Sequence, residues 1–344
     1  MTVKKYFTAY TFFNLLFLLH FQNGIAQTAN KPGTIFEYLA REEAVKMTLE
    51  ADMTTLLASR QVDEYYPALL TLADGKSFQV KIKPKGKYRR KVAEVPPLKI
   101  KFTKKSLQAE GLDTLNEVRL VLPCYDNILG DELIIREYLT YRMFEKLTGA
   151  SVRARLVKLT LRDTHVEKSR KVMYAILLED NEETAARLNG VLVEQYGLPV
   201  DSTILYQTAL VAMFEYMIGN TDWDISMMRN VRLIRSAESG KILVIPYDFD
   251  FSGFVSAPYA SPASESGLLT VRDRFLMANG IDRDALRRAT QILKSAKPDL
   301  YAICRSKLIS RDSSLELMGY LDTFFDQITE TDDVPVRMRV PLSE

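Results

Sequence analysis

One stretch of the chain, residues 219–253, is rich in acidic and amide side chains at short intervals. Its oxygen-bearing candidates are Asp222, Asp224, Asn230, Asp248 and Asp250. Carboxylate and amide oxygens are the ligands that Mg²⁺ selects, usually one or two from the protein, with water and substrate phosphates completing the shell. A further carboxylate nearby can orient a hydroxyl group or a water for in-line attack on phosphorus. These residue types and intervals therefore indicate metal-dependent phosphate chemistry.

Two predicted elements position these side chains. A helix is predicted over residues 203–218 and ends just before the first aspartate, and a hairpin follows with strands 231–234 and 242–245. An antiparallel hairpin brings the chain back, so the groups before its first strand and after its second strand lie at the same end. Asn230 and Asp248 are therefore expected to be neighbours.

The same residues also have a purely structural explanation. Asp and Asn favour turns because their side chains hydrogen-bond the local backbone, which fits Asp222 and Asn230. Asp248 and Asp250 fit the solvent face of a strand end. Against this, the last two aspartates alternate with aromatic residues, and carboxylates in such surroundings are unfavourable unless a positive charge joins them. A metal ion supplies that charge.

The hydrophobic pattern of the chain changes from mainly strand-like to mainly helical near residue 180. Before it, apolar runs with the turn signal Asp74-Gly75 predict strands and one amphipathic helix, 131–147. After it, helical spacing prevails. The predicted strands are 68–71, 78–82, 98–102, 118–122, 152–161 and 172–178, and the later helices are 203–218, 283–294, 298–308 and 315–328. This order predicts an α+β fold with a strand-rich region, 27–180, a mainly helical region, 181–344, and a cleft between them.

Composition and charge narrow the classes of function. The chain has 344 residues, 47% hydrophobic and 26% charged, as expected of a folded protein. Lys4, Lys5 and the apolar run that leads to Ala26 predict a secretory signal peptide over residues 1–26, and hence export to the periplasm or outside the cell. Without its two lysines the chain keeps 44 of 46 basic residues against 44 acidic ones, which does not indicate nucleic-acid binding. No later run approaches the roughly 18 apolar residues of a transmembrane span.

Several catalytic classes are excluded by what the sequence lacks. The patterns GxGxxG, GxSxG and HExxH of dinucleotide, serine-hydrolase and zinc-protease sites are absent. His165 is the only histidine after the signal segment and lies in a polar stretch typical of a hairpin tip. Cys124 and Cys304 are the only cysteines, too few for a zinc finger, and export would allow one disulfide between them. The chemistry is thus expected to rest on Asp, Glu, Asn, Lys and Arg.

The order of an Asp, an Asn, a short hairpin and an aromatic-flanked Asp resembles that of protein-kinase-like enzymes. More narrowly, the chain is similar to the kinase-like family of the spore coat protein H (CotH) over residues 44–330. The similar stretches are Ile82-Lys83-Pro84-Lys85-Gly86, Pro97-Leu98-Lys99-Ile100-Lys101-Phe102 and Ile245-Pro246-Tyr247-Asp248-Phe249-Asp250. The resemblance implies a two-lobed protein-kinase-like fold with a strand-rich N-lobe and a mainly helical C-lobe. It also implies transfer of phosphate from ATP to a protein or glycan hydroxyl with Mg²⁺ or Mn²⁺.

The resemblance further implies a role for each candidate acid. Asp222 would orient the attacking hydroxyl and accept its proton, with Asp224 as the alternative. Asn230 lies eight residues after the first and six after the second, so the spacing leaves this choice open. Asn230 and Asp248 would hold Mg²⁺, and Asp250 a second ion or the opposite side of the same one.

A lysine on the predicted strand 98–102 would contact the α- and β-phosphates of ATP. Lys99 and Lys101 both qualify, because alternate side chains of a strand lie on one face. Glu137, in the predicted helix 131–147, would pair with that lysine and hold it in place. On the helix alone, Glu137 equally fits a surface acid.

Residues 81–105 form a basic segment with eleven Lys or Arg and a single acid, Glu94. This exceeds the needs of one triphosphate and predicts a patch for an anionic partner such as lipopolysaccharide, a phosphorylated glycan or an acidic protein. A solvated strand face explains most of these residues more simply. Tyr88 is the one aromatic residue inside the loop, which gives little support for stacking of nucleic-acid bases.

Three functions therefore remain open on sequence grounds. The first is an exported ATP-dependent phosphotransferase. The second is a catalytically inactive kinase-like module that binds nucleotide or metal. The third is a metal-dependent phosphoesterase or a structural protein of the cell envelope.

Overall fold

A computed structural model describes residues 32–41, 44–330, 336–338 and 340. The predicted signal peptide, residues 1–26, lies outside the described residues. The strands are β1 Val45–Ala51, β2 Tyr66–Leu72, β3 Ser77–Pro84, β4 Leu98–Phe102, β5 Glu117–Val121, β6 Ala154–Asp163, β7 Lys171–Glu179, β8 Gly190–Leu192, β9 Val231–Ser236, β10 Ile242–Pro246, β11 Arg274–Phe275 and β12 Arg337–Met338. The α-helices are α1 Ile35–Leu39, α2 Met53–Ala58, α3 Arg89–Val92, α4 Lys104–Ala109, α5 Ile128–Leu147, α6 Asn181–Arg187, α7 Leu205–Ile218, α8 Arg283–Cys304 and α9 Arg311–Glu330.

Seven strands of the first half close into a barrel in the order β1-β2-β3-β4-β5-β7-β6. Neighbouring strands are antiparallel except β1 and β6, which pair in parallel from Val45 opposite Val157 to Ala51 opposite Asp163. The prediction of a two-lobed protein-kinase-like fold with a mainly helical C-lobe is therefore wrong. In the described residues the chain forms a closed mixed barrel of seven strands accompanied by nine α-helices.

The barrel interior is filled by the apolar face of each strand. In β4 the buried side chains are Leu98, Ile100 and Phe102, and those of Lys99 and Lys101 lie on the outer face. The predicted strand 98–102 and the assignment of its faces are confirmed. Each fully buried Leu, Ile or Phe contributes about 1.5–3 kcal/mol of transfer free energy, so this alternation fixes the register of the strand.

A second apolar core surrounds α7 and includes side chains of α5 and of the barrel strands β5, β6 and β7. Nearly every side chain from Gln207 to Ile218 is buried, and α7 packs against α8, α9 and β10. The predicted break between helices 283–294 and 298–308 is wrong, because α8 runs through Pro298. Leu293 and Leu300, on either side of this proline, are fully buried, and this packing keeps the helix continuous although the proline lacks an N–H.

Helix α5 joins the two halves. It packs against β6 and β7 of the barrel on one side and against α8 on the other, so its buried polar residues lie at the boundary. Among the described helices, none combines the length and hydrophobicity needed to cross a membrane. Cys124 and Cys304 are buried free thiols, and burial raises the pKa of Cys304 to about 12. The two cysteines do not form the disulfide that export would allow.

Candidate functional site

A cavity of about 650 Å³ lies where the barrel meets the second half of the chain. Its size is within the usual range for small-molecule sites. The second half supplies acidic and amide groups and one cation, Arg229, to its wall, and the barrel with its β3–β4 connection supplies the other cations. These polar residues are Asp222, Asn230, Asp248 and Asp250 on the one hand, and Lys85, Lys87, Arg89, Arg90 and Arg119 on the other. Anions and cations thus converge on one space.

Arg89 connects the acidic groups at the inner end of this cavity. Its Nε donates to Oδ2 of Asp250 at 2.8 Å, and its Nη2 donates to Oε2 of Glu137 at 2.6 Å. The same Nη2 lies 3.6 Å from Oδ1 of Asp248. The side chain of Arg89 is only 6% exposed. One buried guanidinium therefore faces three carboxyl groups, and desolvation raises the pKa of one of them, Glu137, to about 8.

Asp248 follows β10 in the left-handed region of backbone conformation, with φ of 66°. Its backbone N–H donates to the Tyr141 hydroxyl at 2.8 Å, which holds the turn against α5. Desolvation of the carboxyl, followed by the charge of Asp250, raises the pKa of Asp248 to about 7. Because 40% of the side chain remains accessible from the cavity, water there moderates this effect. An added cation would favour the ionised form.

Asn230 and Asp222 form the neighbouring part of the wall. Nδ2 of Asn230 donates to the backbone oxygen of Asp222 at 2.7 Å and to its Oδ2 at 2.9 Å. This leaves the amide oxygen, the atom a metal would need, uncommitted within the described residues. Asn230 also has a left-handed backbone, with φ of 50°. Such backbone in residues other than Gly is uncommon and often occurs at functional sites.

The structure distinguishes the two candidates for the catalytic base. Asp222 lines the cavity, and burial raises the pKa of its carboxyl above the ordinary value. Asp224 does not line it. Oδ1 of Asp224 instead accepts from the Ser226 hydroxyl at 2.7 Å and from the backbone N–H of Met227 at 2.6 Å. Asp224 therefore has the turn-forming role that its residue type permits.

The predicted phosphate-binding lysines lie outside the cavity. Lys99 forms an ion pair with Glu117 and lies 3.8 Å from Asp180, and Lys101 lies 3.2 Å from Glu117. The expected pairing of Glu137 with either lysine is also wrong, since Glu137 bonds to Arg89. Strand register explains this, because the acid on the outer face next to β4 is Glu117 of β5.

Three cations that sequence reasoning did not select occupy the positions those lysines were expected to take. Lys85 and Arg119 line the cavity, and Arg89 binds its acids. Burial, and then the neighbouring Lys83, lower the pKa of Lys85. Arg119 lies 3.3 Å from Asp180 and donates to Asn181 at 2.7 Å. Lys85 and Arg89 belong to the basic segment 81–105, and this was the sequence feature that could have identified them as site residues. No sequence feature marked Arg119.

The oxygen-bearing side chains that line the cavity and could bind a metal ion include those of Asp222, Asn230, Asp248 and Asp250. Among the described residues, no group of three or more His, Cys, Asp or Glu side chains is arranged to hold a metal ion. Mg²⁺, however, usually takes only one or two carboxylates and completes its shell with water and phosphate oxygens. Asp248, with its raised pKa, and the amide oxygen of Asn230 fit that smaller requirement.

Comparison with known proteins does not add a relative. No protein-family model matches the chain, and no curated protein is similar to it. The resemblance to the CotH-type family thus depends on the order of the motifs alone, and function has to be inferred from the residues of the cavity.

Proposed function

We propose that the protein is an exported, Mg²⁺-dependent phosphotransferase that moves the γ-phosphate of ATP to a hydroxyl of a protein or glycan. The observation that carries the proposal is the meeting of Asp222, Asn230 and Asp248 with Lys85 and Arg119 around one cavity. A nucleoside triphosphate with its metal needs both kinds of group, cations for its phosphates and carboxylates for the metal.

The cations of the barrel side suit the phosphates. Lys85 has no ion pair within the described residues, so its charge is available to an anion. Nε and Nη2 of Arg119 contact Asp180 and Asn181, and its Nη1, which has no acceptor within the described residues, can donate to a phosphate oxygen. The apolar part of the same cavity suits the base and sugar of a nucleotide, and it is lined by Leu98, Leu120, Val121, Leu178 and Tyr247.

The acids of the second half suit the metal and the acceptor. Asp248 and Asn230 would hold Mg²⁺ or Mn²⁺. Asp250 lines the same cavity and accepts a hydrogen bond from Arg89. The bound metal would neutralise the charge that develops on the transferred phosphoryl group. The Asp222 carboxylate is positioned by two groups. It accepts a hydrogen bond from the Asn230 amide, and its Oδ1 lies 3.7 Å from Nη1 of Arg229.

Asp222 would act on the acceptor hydroxyl. As the hydroxyl oxygen forms a bond to the γ-phosphorus, the bond from that phosphorus to the bridging oxygen breaks and ADP leaves. The hydroxyl proton passes to the Asp222 carboxylate. Burial raises the pKa of Asp222, and a carboxylate with a raised pKa is a better proton acceptor than an ordinary aspartate.

A second candidate is binding of nucleotide without turnover. Arg89 favours it, because this guanidinium already occupies Asp250 and approaches Asp248 to 3.6 Å, which reduces the need for a metal. Phosphoesterase activity has no comparable support.

Transfer of labelled phosphate from ATP to a mixture of serine-containing peptides and to the protein itself, with Mg²⁺ or Mn²⁺, tests the proposal. Asp222→Ala and Asp248→Ala are expected to abolish transfer. Asp224→Ala is the matched control, an aspartate of the same loop outside the cavity, and is expected to retain it. A rise in melting temperature with ATP and Mg²⁺ but no transfer would support the second candidate. No thermal shift and no transfer would contradict both.

A further inference from the structure

The basic segment 81–105 separates into two groups of cations in the folded chain. Lys83, Lys99 and Lys101, on the strands, pair with acids of the barrel surface. The connection after β3 differs, because Lys87 and Lys91 are exposed and form no ion pair within the described residues. The charges of these three strand lysines are therefore compensated, whereas those of Lys87 and Lys91 on the connection remain available.

A second cavity, of about 520 Å³, opens beside these available cations. It is lined by Gln61, Gly86, Lys87, Tyr88, Arg90 and Lys91. Four of these six residues, Gly86 to Tyr88 and Arg90, also line the cavity that contains Asp222. The two cavities therefore share one wall, and a single extended molecule can occupy both.

Arg90 adds to the positive charge of the second cavity. Its guanidinium donates to the backbone oxygens of Arg60 and Val62, which orient it without neutralising it. Asp63, an acid whose charge interacts with that of Arg90, is hydrogen-bonded to Lys83 at 2.9 Å. A cation held by neutral acceptors keeps its full attraction for an incoming anion.

We propose that the second cavity binds an acidic peptide segment of the acceptor, next to the hydroxyl that receives phosphate. This rests on the proposed function, because it assigns the acceptor of the same reaction. The cations are spread over residues 87, 90 and 91 instead of converging on one point. This suits several carboxylates along an extended chain better than one phosphate group.

Tyr88 marks the junction of the two cavities. Its ring is 5.4 Å from Phe251 and 5.9 Å from Tyr259, and 43% of the residue is exposed. A supported and accessible aromatic ring offers a flat apolar surface to the peptide between its acidic part and its hydroxyl. The acidic side chains of the peptide would thus bind at Lys87 and Lys91, and the hydroxyl of the same peptide would reach Asp222 in the first cavity.

Peptide binding can be measured without turnover, by fluorescence anisotropy at constant ionic strength. The probe is a fluorescein-labelled peptide with one serine between two pairs of glutamates, and its partner carries glutamines instead. Lys87→Ala/Lys91→Ala is expected to weaken binding of the acidic probe about fivefold, the effect of two exposed ion pairs. Lys91→Ala alone removes a lysine that lines only the second cavity, so the affinity of this variant for ATP with Mg²⁺ should change less than about twofold.

Lys104→Ala/Lys105→Ala is the matched control, since it removes two lysines of the same segment that line neither cavity. It should leave peptide binding unchanged. Equal losses in the two double variants, equal binding of the glutamine peptide, or a loss of ATP affinity in Lys91→Ala that matches its loss of peptide affinity would overturn the assignment. Specific peptide binding without any phosphate transfer would contradict the proposed function and support the peptide site, and transfer without such binding would do the reverse.

Discussion

Replacement of Arg89 by methionine tests whether one buried guanidinium holds the acidic end of the cavity together. The side chains of Arg89, Glu137 and Asp250 are 6%, 2% and 5% exposed. Methionine has a similar length and no charge, so it leaves two buried carboxylates without their cation. Removal of one partner from a buried ion pair costs about 3–5 kcal/mol, because the remaining charge has lost its compensation. We expect this loss of unfolding free energy at pH 8.

The pH dependence of the loss has a definite sign. Desolvation raises the pKa of Glu137 above its ordinary value, and Arg89 opposes that rise. Without Arg89 the pKa of Glu137 rises further, so the folded state binds this proton more tightly than the unfolded state does. Wild-type Glu137, with its pKa raised to about 8, is itself protonated at pH 5.5 and begins to ionise near pH 8, so the loss caused by the substitution should be smaller at pH 5.5 than at pH 8.

Urea unfolding at the two pH values measures this effect, with Arg90→Met as the matched control. Arg90 is the next residue, but it donates only to backbone oxygens of Arg60 and Val62. Its replacement should cost about 1 kcal/mol at both pH values. Equal costs for the two variants, or a cost for Arg89→Met that does not change with pH, would refute the role given to this guanidinium.

Two further predictions concern buried or half-buried carboxyls. The pKa of Asp248 is raised to about 7, so Mg²⁺ must compete with a proton there. We therefore expect an excess of MgCl₂ to raise the melting temperature more at pH 8 than at pH 6. Asp248→Asn should lose this difference, and an equal shift in the variant would place the metal elsewhere. Glu215 is fully buried on α7, accepts from Asn220 at 2.9 Å, and has a pKa raised to about 8 by desolvation. Because the folded pKa is raised, wild-type stability falls from about pH 4.5 to pH 8, so Glu215→Gln should gain stability over wild type between pH 6 and pH 8, and a constant margin in urea unfolding would contradict this.

Local elements of this fold could be predicted from the sequence. The Asp74-Gly75 turn and the strands around it, the strand 98–102 and the hairpin after Asn230 all have signals within ten residues or so, and the structure contains each of them. The barrel closure could not be predicted in this way. It depends on β1 pairing with β6, two segments more than 100 residues apart, and side-chain alternation does not identify a distant partner.

The candidate site shows the same division. Asp222, Asn230 and Asp248 meet in one cavity because a single short hairpin joins them, and this juxtaposition was expected from the sequence. Arg89 and Arg119 reach the same cavity from the barrel, through strand register and the course of one connection. Lys99 and Lys101 were equal candidates on their strand, yet both have Glu117 beside them on the neighbouring strand. Which of several lysines is left unpaired is a tertiary property.

In the proposed mechanism Asp248 and Asn230 bind one divalent ion together with the phosphates of a nucleotide. Crystals grown with MnCl₂ and a non-hydrolysable ATP analogue would test this through anomalous scattering of manganese. We expect a peak about 2.1 Å from a carboxylate oxygen of Asp248 and from the amide oxygen of Asn230, with phosphate oxygens in the same shell. A nucleotide bound elsewhere, or manganese that contacts neither residue, would contradict it.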